Sequence, residues 1–199
     1  GSADIMSHVF DVAYFSKQDE MDMLLRMQEE VLKTVVKYAP IAVNTPDDYE
    51  ARANLMWASS WALNGFLYDG LAQATVCHFM EHELSAFYDI THGHGLAILT
   101  PRWLSYILDE ETAPRIRRFG VNVMGVDKSL SAMDGAKEAI KALERFLFDE
   151  LGLKPTLTDL GVDDKHFAVM AQKACRHDVL HGFTDLTPED VEKIYRMCL

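Results

Sequence analysis

The sequence predicts an all-α fold, and three observations carry that prediction. Apolar residues recur at helical spacing along most of the chain. Helix-start signatures precede several of those runs. Period-two alternation joined by Asn-Gly or Asp-Gly hairpin turns is missing. With a mean helix of roughly 11 residues, about seven to nine helices are expected. The length of 199 residues suits a multi-helix bundle forming one domain over residues 1–199, with no internal repeat.

Taken in order, the elements begin with Asp4-Ile5-Met6-Ser7-His8, where Asp4 and His8 share a helical face. Leu24, Met27, Val31 and Val35 follow at spacings of three and four, with Glu29 and Lys33 paired on another face. Thr45-Pro46-Asp47-Asp48 reads as a helix start, with Thr45 as the cap and Pro46 in the first turn. Residues 53–101 carry only four charges, Asp69, Glu81, Glu83 and Asp89, and read as the buried centre of the domain. A membrane span needs roughly 20 mainly apolar residues. Asn54, Ser59, Ser60, Asn64 and Asp69 break the first apolar stretch, and three histidines break the second.

The spacing predicts a helix through His78 and His82 that ends near Asp89, with a new one from His92 to Leu99 capped by Thr91. Arg115, Arg117 and Arg118 read as a solvated helix face. Ala136, Ile140, Leu143, Leu147 and Leu151 repeat the helical spacing, and Gly152 stops it. Leu143 and Leu147 should be buried, and Glu138 and Lys141 exposed. Thr187-Pro188-Glu189-Asp190 opens the last helix, with acids in its first turn.

The formal net charge of −12, with no basic stripe to offset it, argues against nucleic-acid binding, which requires clustered Lys and Arg. Cys77, Cys175 and Cys198 are odd in number and widely spaced, which argues against a disulfide framework and fits a reducing, cytoplasmic location. Asp4 and His8 interrupt any apolar signal segment.

Chemistry gathers in His78-Phe79-Met80-Glu81-His82 and His92-Gly93-His94-Gly95. In one continuous helix His78 and His92 would lie roughly 21 Å apart, too far to share an ion that each must approach to about 2.1 Å. The predicted break at Asp89-Ile90-Thr91 is therefore what a shared metal would require. Buried ionisable groups are costly unless paired or metal-bound. Three readings stay open on the residues alone. One is a metal site. A second is a zinc peptidase of the H-x-x-E-H type, with His78 and His82 as ligands and Glu81 as base. The third is a non-catalytic helical module whose histidines are structural.

Asp4-Ile5-Met6-Ser7-His8, His78-x-x-x-His82-Glu83-Leu84-Ser85-Ala86 and Asp89-Ile90-x-His92-Gly93-x-Gly95-Leu96-Ala97-Ile98 occur in that order. With the stretch Asp48-Tyr49-x-Ala51-Arg52-x-Asn54-Leu55-Met56-Trp57 they span nearly the whole chain. Together they resemble the iron-containing alcohol dehydrogenases, most closely the butanol-dehydrogenase-like branch. The resemblance implies the all-helical C-terminal domain shared with dehydroquinate synthases. It implies metal ligands Asp4, His8, His78 and His92, with His82 beside the nicotinamide and substrate. His94 is not implied as a ligand.

Full-length members carry an N-terminal α/β domain with a glycine-rich phosphate loop. Here the only G-x-G is Gly93-His94-Gly95, and Ile98 stands where the third glycine belongs. The resemblance therefore implies the metal domain without its α/β cofactor domain, inactive when isolated. Its implied activity, in the full-length protein, is NAD(P)-dependent interconversion of an alcohol with an aldehyde or ketone. Iron is the expected metal, with zinc, nickel or manganese suited to the same donors. The implied partners are a small alcohol or aldehyde and NAD or NADP bound mainly outside this chain, with room for a homodimer. Asn64, Gly65 and Phe66 read as a core loop, with the lining of an interdomain substrate cleft as the second reading.

Overall fold

The computed structural model describes residues 1–16, 21–68 and 75–199. Among them are nine α-helices and no strand, the sole β feature being an isolated bridge between Leu180 and Leu186. The helices are α1 Ser2–Val9, α2 Asp22–Asn44, α3 Tyr49–Leu63, α4 Val76–Tyr88, α5 His92–Tyr106, α6 Ala113–Val123, α7 Ala132–Glu144, α8 Phe167–Ala174 and α9 Pro188–Met197. Two of them continue into π-wound turns, α1 through Phe10–Tyr14 and α7 through Arg145–Glu150. No described helix is long and apolar enough to cross a membrane. Asp69 lies outside the described residues.

The helices pair as α2 with α3, α4 with α5, α6 with α7 and α8 with α9, and α1 packs across α3 and α5. At the centre, Phe10, Phe15, Trp103 and Phe119 are almost wholly buried. Phe10 meets Phe119 edge-on at 5.0 Å between ring centroids, and Phe15 meets Trp103 at 6.0 Å. Helix α6 approaches α7 closely because residue 120 is glycine: a Cβ there would lie 2.5 Å from the Ala139 Cβ. Helix α9 is tied to α4 by the Tyr195 hydroxyl, which donates to the Met80 carbonyl at 2.7 Å. The three cysteines are free and buried.

Leu143 and Leu147 are buried and Lys141 is exposed, as the spacing predicts, while the Glu138 side chain is 41% exposed. Thr187 caps α9 in a reciprocal capping box with Asp190. Five expectations change. Helix α3 is capped by Asp48, whose side chain accepts from the Ala51 N–H at 2.8 Å. Thr45 instead ends α2, and a turn closed by the Asp48 N–H on its carbonyl separates the two helices.

The buried stripe of α2 runs through Leu25, Leu32, Val35 and Ala39, about one position round from the apolar set that predicted it. That rotation takes Glu29 inside. It accepts from the Tyr14 hydroxyl at 2.9 Å, from Arg118 at 2.6 Å and from Asn122 at 3.1 Å, while Lys33 pairs with Glu30. The arginines of α6 are thus tethers rather than a solvated face. Arg118 also reaches Asp22, Arg115 donates to the Tyr14 carbonyl, and Arg117 donates to the carbonyls of Leu130 and Lys128.

Finally, only the second half of residues 53–101 is central. Helix α5 buries residues 95–101, whereas α3 leaves Tyr49, Met56 and Trp57 at 86%, 73% and 64% exposure. Asn64 and Phe66 are exposed and Gly65 is half-buried, so this segment is a surface turn rather than a core loop.

Candidate metal centre

Three helices bring the predicted residues together. Helix α1 presents Asp4 and His8 on one face, and α4 carries His78 in its first turn. Asp89 then takes the left-handed conformation at φ 52°, which ends α4. Helix α5 begins at His92, and the Thr91 carbonyl accepts from the N–H groups of His94 and Gly95. Thr91 holds the cap position, but its side chain makes no capping bond. The chain reversal sets His92 beside His78, with ring centroids 5.6 Å apart.

The Nε2 atoms of His8, His78 and His92 lie 3.4, 3.8 and 3.6 Å from a single atom, the Asp4 Oδ1. That oxygen and the His78 Nε2 are both buried and have no hydrogen-bond partner. Orphaned buried polar atoms carry a desolvation cost that a bound cation removes. Donors about 2.1 Å from one ion at tetrahedral angles stand about 3.4 Å apart, so the spacing suits a divalent metal. Donor atoms of Asp4, His8 and His78 all fall within 4.8 Å of one another. His92 joins them through the shared carboxylate oxygen. Burial, and then the neighbouring His78 ring, lower the His8 pKa, which favours the neutral, ligating form.

Behind this layer stand two carboxylates. His78 Nδ1 lies 2.8 Å from Asp11 Oδ2, and His92 Nδ1 contacts Glu81 Oε2. Glu81 also accepts from the Ser85 hydroxyl at 2.7 Å, is fully buried, and has its pKa raised by that burial. Its seat exists because residue 95 is glycine: a Cβ there would lie 2.7 Å from the Glu81 Cγ. Sequence reasoning missed Asp11 altogether and read Glu81 only as a peptidase base. The one available signal for Asp11 was its place at i+7 from Asp4.

His82 is exposed one turn beyond His78, its ring stacked on His92 at 5.5 Å. Burial, then His78 and His92, lower its pKa. It is not among the grouped donors. His94 turns away and contacts the Lys154 carbonyl at 2.9 Å. The peptidase reading needs Glu81 free to take a proton from water, and its carboxylate is instead enclosed between Ser85 and His92.

A family model for the C-terminal part of the Fe-containing alcohol dehydrogenase family matches residues 1–199. NADH-dependent butanol dehydrogenase B of Clostridium acetobutylicum is 49% identical over 176 residues, 88% of this chain and 45% of that protein. NADH-dependent butanol dehydrogenase A of the same organism is 44% identical over 98% of this chain and 50% of its own length. Among solved structures, the E. coli aldehyde reductase YqhD matches all of this chain and 52% of its own at a TM-score of 0.89 and 26% identity. NADH-dependent butanol dehydrogenase A of Thermotoga maritima matches at 0.87 and 28%, over all of this chain and 51% of its own. The chain spans about half the length of the relatives it matches.

Proposed function

Because the chain belongs to the Fe-containing alcohol dehydrogenase family, we propose that residues 1–199 act as one metal-binding unit of an NAD(P)-dependent dehydrogenase. The reaction is the interconversion of a small alcohol with its aldehyde or ketone. The observation that carries this reading is the convergence of three imidazole Nε2 atoms on one orphaned carboxylate oxygen.

Asp4 Oδ1 and the Nε2 atoms of His8, His78 and His92 are the proposed ligands. Iron is the expected metal, and zinc, nickel and manganese suit the same donors. A divalent ion held by these four residues would supply Lewis-acid polarisation of a substrate oxygen, and a nicotinamide bound mainly outside this chain would supply the hydride donor or acceptor. Asp11 and Glu81 hold the rings of His78 and His92 at their Nδ1 atoms. His82 accepts or returns a proton at an imidazole nitrogen, at the exposed rim where solvent can take it. Burial lowers its pKa, which favours the neutral imidazole with a nitrogen lone pair free to accept a proton.

The test is anomalous scattering at the metal edge, in crystals of the full-length enzyme grown with metal. Density touching Asp4, His8, His78 and His92 supports the reading. Density on His78 and His82 with His92 free restores the peptidase reading, and no density excludes both.

A further inference from the structure

The carboxylate of Asp11 collects three donors. The Cys77 N–H reaches Oδ1 at 2.9 Å, and the His78 N–H reaches Oδ2 at 2.9 Å. The His78 ring lies on the same Oδ2 through Nδ1, at 2.8 Å. Asp11 is 1% exposed and sits in the π-wound turn after α1, a kind of irregularity that often marks functional sites. The two N–H groups belong to the first turn of α4, where the helix leaves its donors unpaired and its own cap residue, Thr75, supplies no side-chain bond.

A carboxylate facing Nδ1 demands a proton there. A neutral imidazole has one N–H, so protonation at Nδ1 leaves a lone pair on Nε2. That Nε2 is the buried, unpartnered atom aimed at Asp4 Oδ1. We propose that Asp11 is a positioning residue. It caps α4 from a distant element and, through the same carboxylate, fixes the Nδ1–H tautomer of His78 so that Nε2 is ready to bind metal before any metal arrives. This rests on His78 being a ligand, and its test separates the two claims.

Side-chain 15N spectra of the metal-free full chain should show His78 protonated at Nδ1 and bare at Nε2. The opposite tautomer overturns the proposal, whatever the chain does with metal. Zinc affinity measured against a competing chelator tests the consequence. Asp11→Ala should release the tautomer and weaken zinc by about 10- to 100-fold. Asp11→Asn keeps one acceptor oxygen for three donors. Turned toward His78, it should preserve the Nδ1–H signature and most of the affinity while the melting temperature falls, because the Cys77 N–H loses its partner.

If Asp11→Ala melts lower yet keeps both the tautomer and zinc affinity within twofold of the parent, Asp11 is a cap alone and the proposal fails. If the parent chain binds no zinc while its His78 shows the Nδ1–H tautomer, the ligand assignment fails and the positioning claim stands.

Discussion

His78 and His82 are separated by one helical turn and by their surroundings. The first is buried, with its Nδ1 on Asp11 and its Nε2 facing Asp4; the second is exposed and stacked on His92. In the full-length enzyme, His78→Ala should therefore lose the metal. His82→Ala should keep metal content near the parent and lower turnover or shift its pH dependence. Metal analysis beside steady-state rates checks both, and an empty site in His82→Ala would sink the assignment. Gly95→Ala is a second residue-level test. Its Cβ would meet the Glu81 Cγ and Oε1 at 2.7 Å, and Glu81 has no open side to retreat to. Overpacking of this kind costs about 1–3 kcal/mol, so the variant should melt several degrees lower. The four ligand candidates were legible because they come as short spaced motifs. Asp11 and Glu29 were not, because their partners lie 15 to 93 residues away along the chain and no local pattern encodes such contacts.

Helix existence was legible wherever apolar residues recur at helical spacing, and the break before His92 was legible because one unbroken helix would part the histidines. Which face is buried was harder to read. Helix α3 is rich in apolar residues, yet Tyr49, Met56, Trp57 and Leu63 lie outside, since apolar content does not by itself fix burial. At the helix ends, Asp48→Ala and Thr187→Ala should each cost about 1 kcal/mol of stability, measurable by denaturant unfolding. Thr45→Ala should cost less, because its side chain caps no helix.

The capping box at α9 also carries a pH dependence. The Tyr106 hydroxyl first, and then Thr187, donate to Asp190 and hold its carboxyl well below the ordinary aspartate value of 3.8. A depressed native pKa means stability that is present above the unfolded value and lost as pH falls through the folded one. Asp190→Asn should therefore be less stable than the parent by a constant margin above about pH 5, with the gap closing in more acidic solution. A gap independent of pH down to about pH 2 would show that the charge is not what stabilises this cap.

Across the whole molecule, the candidate centre joins α1, α4 and α5, elements that also build the core. Gly93 and Gly95 open α5 against Asp4 and Glu81, which commits the chain's one G-x-G to the candidate centre. The chain alone should accordingly show no NAD(P)-linked butanol oxidation at ordinary enzyme rates, since hydride transfer needs a nicotinamide held in place. Spectrophotometric turnover by the purified chain would contradict this. Metal binding should still be measurable, because it is coupled to folding. Asp4 lies in the first turn of α1, where a helix frays, and its Oδ1 is held by no hydrogen bond. An ion bound by the folded state alone stabilises it by about 2.7 kcal/mol at 100 times its dissociation constant. At roughly 2–4 °C per kcal/mol for a chain of this size, the melting temperature should rise by about 5–10 °C with zinc over chelator. The rise should vanish in His78→Ala and persist in His82→Ala. An equal rise in all three proteins would place the zinc elsewhere, since only the proposed centre distinguishes those two histidines.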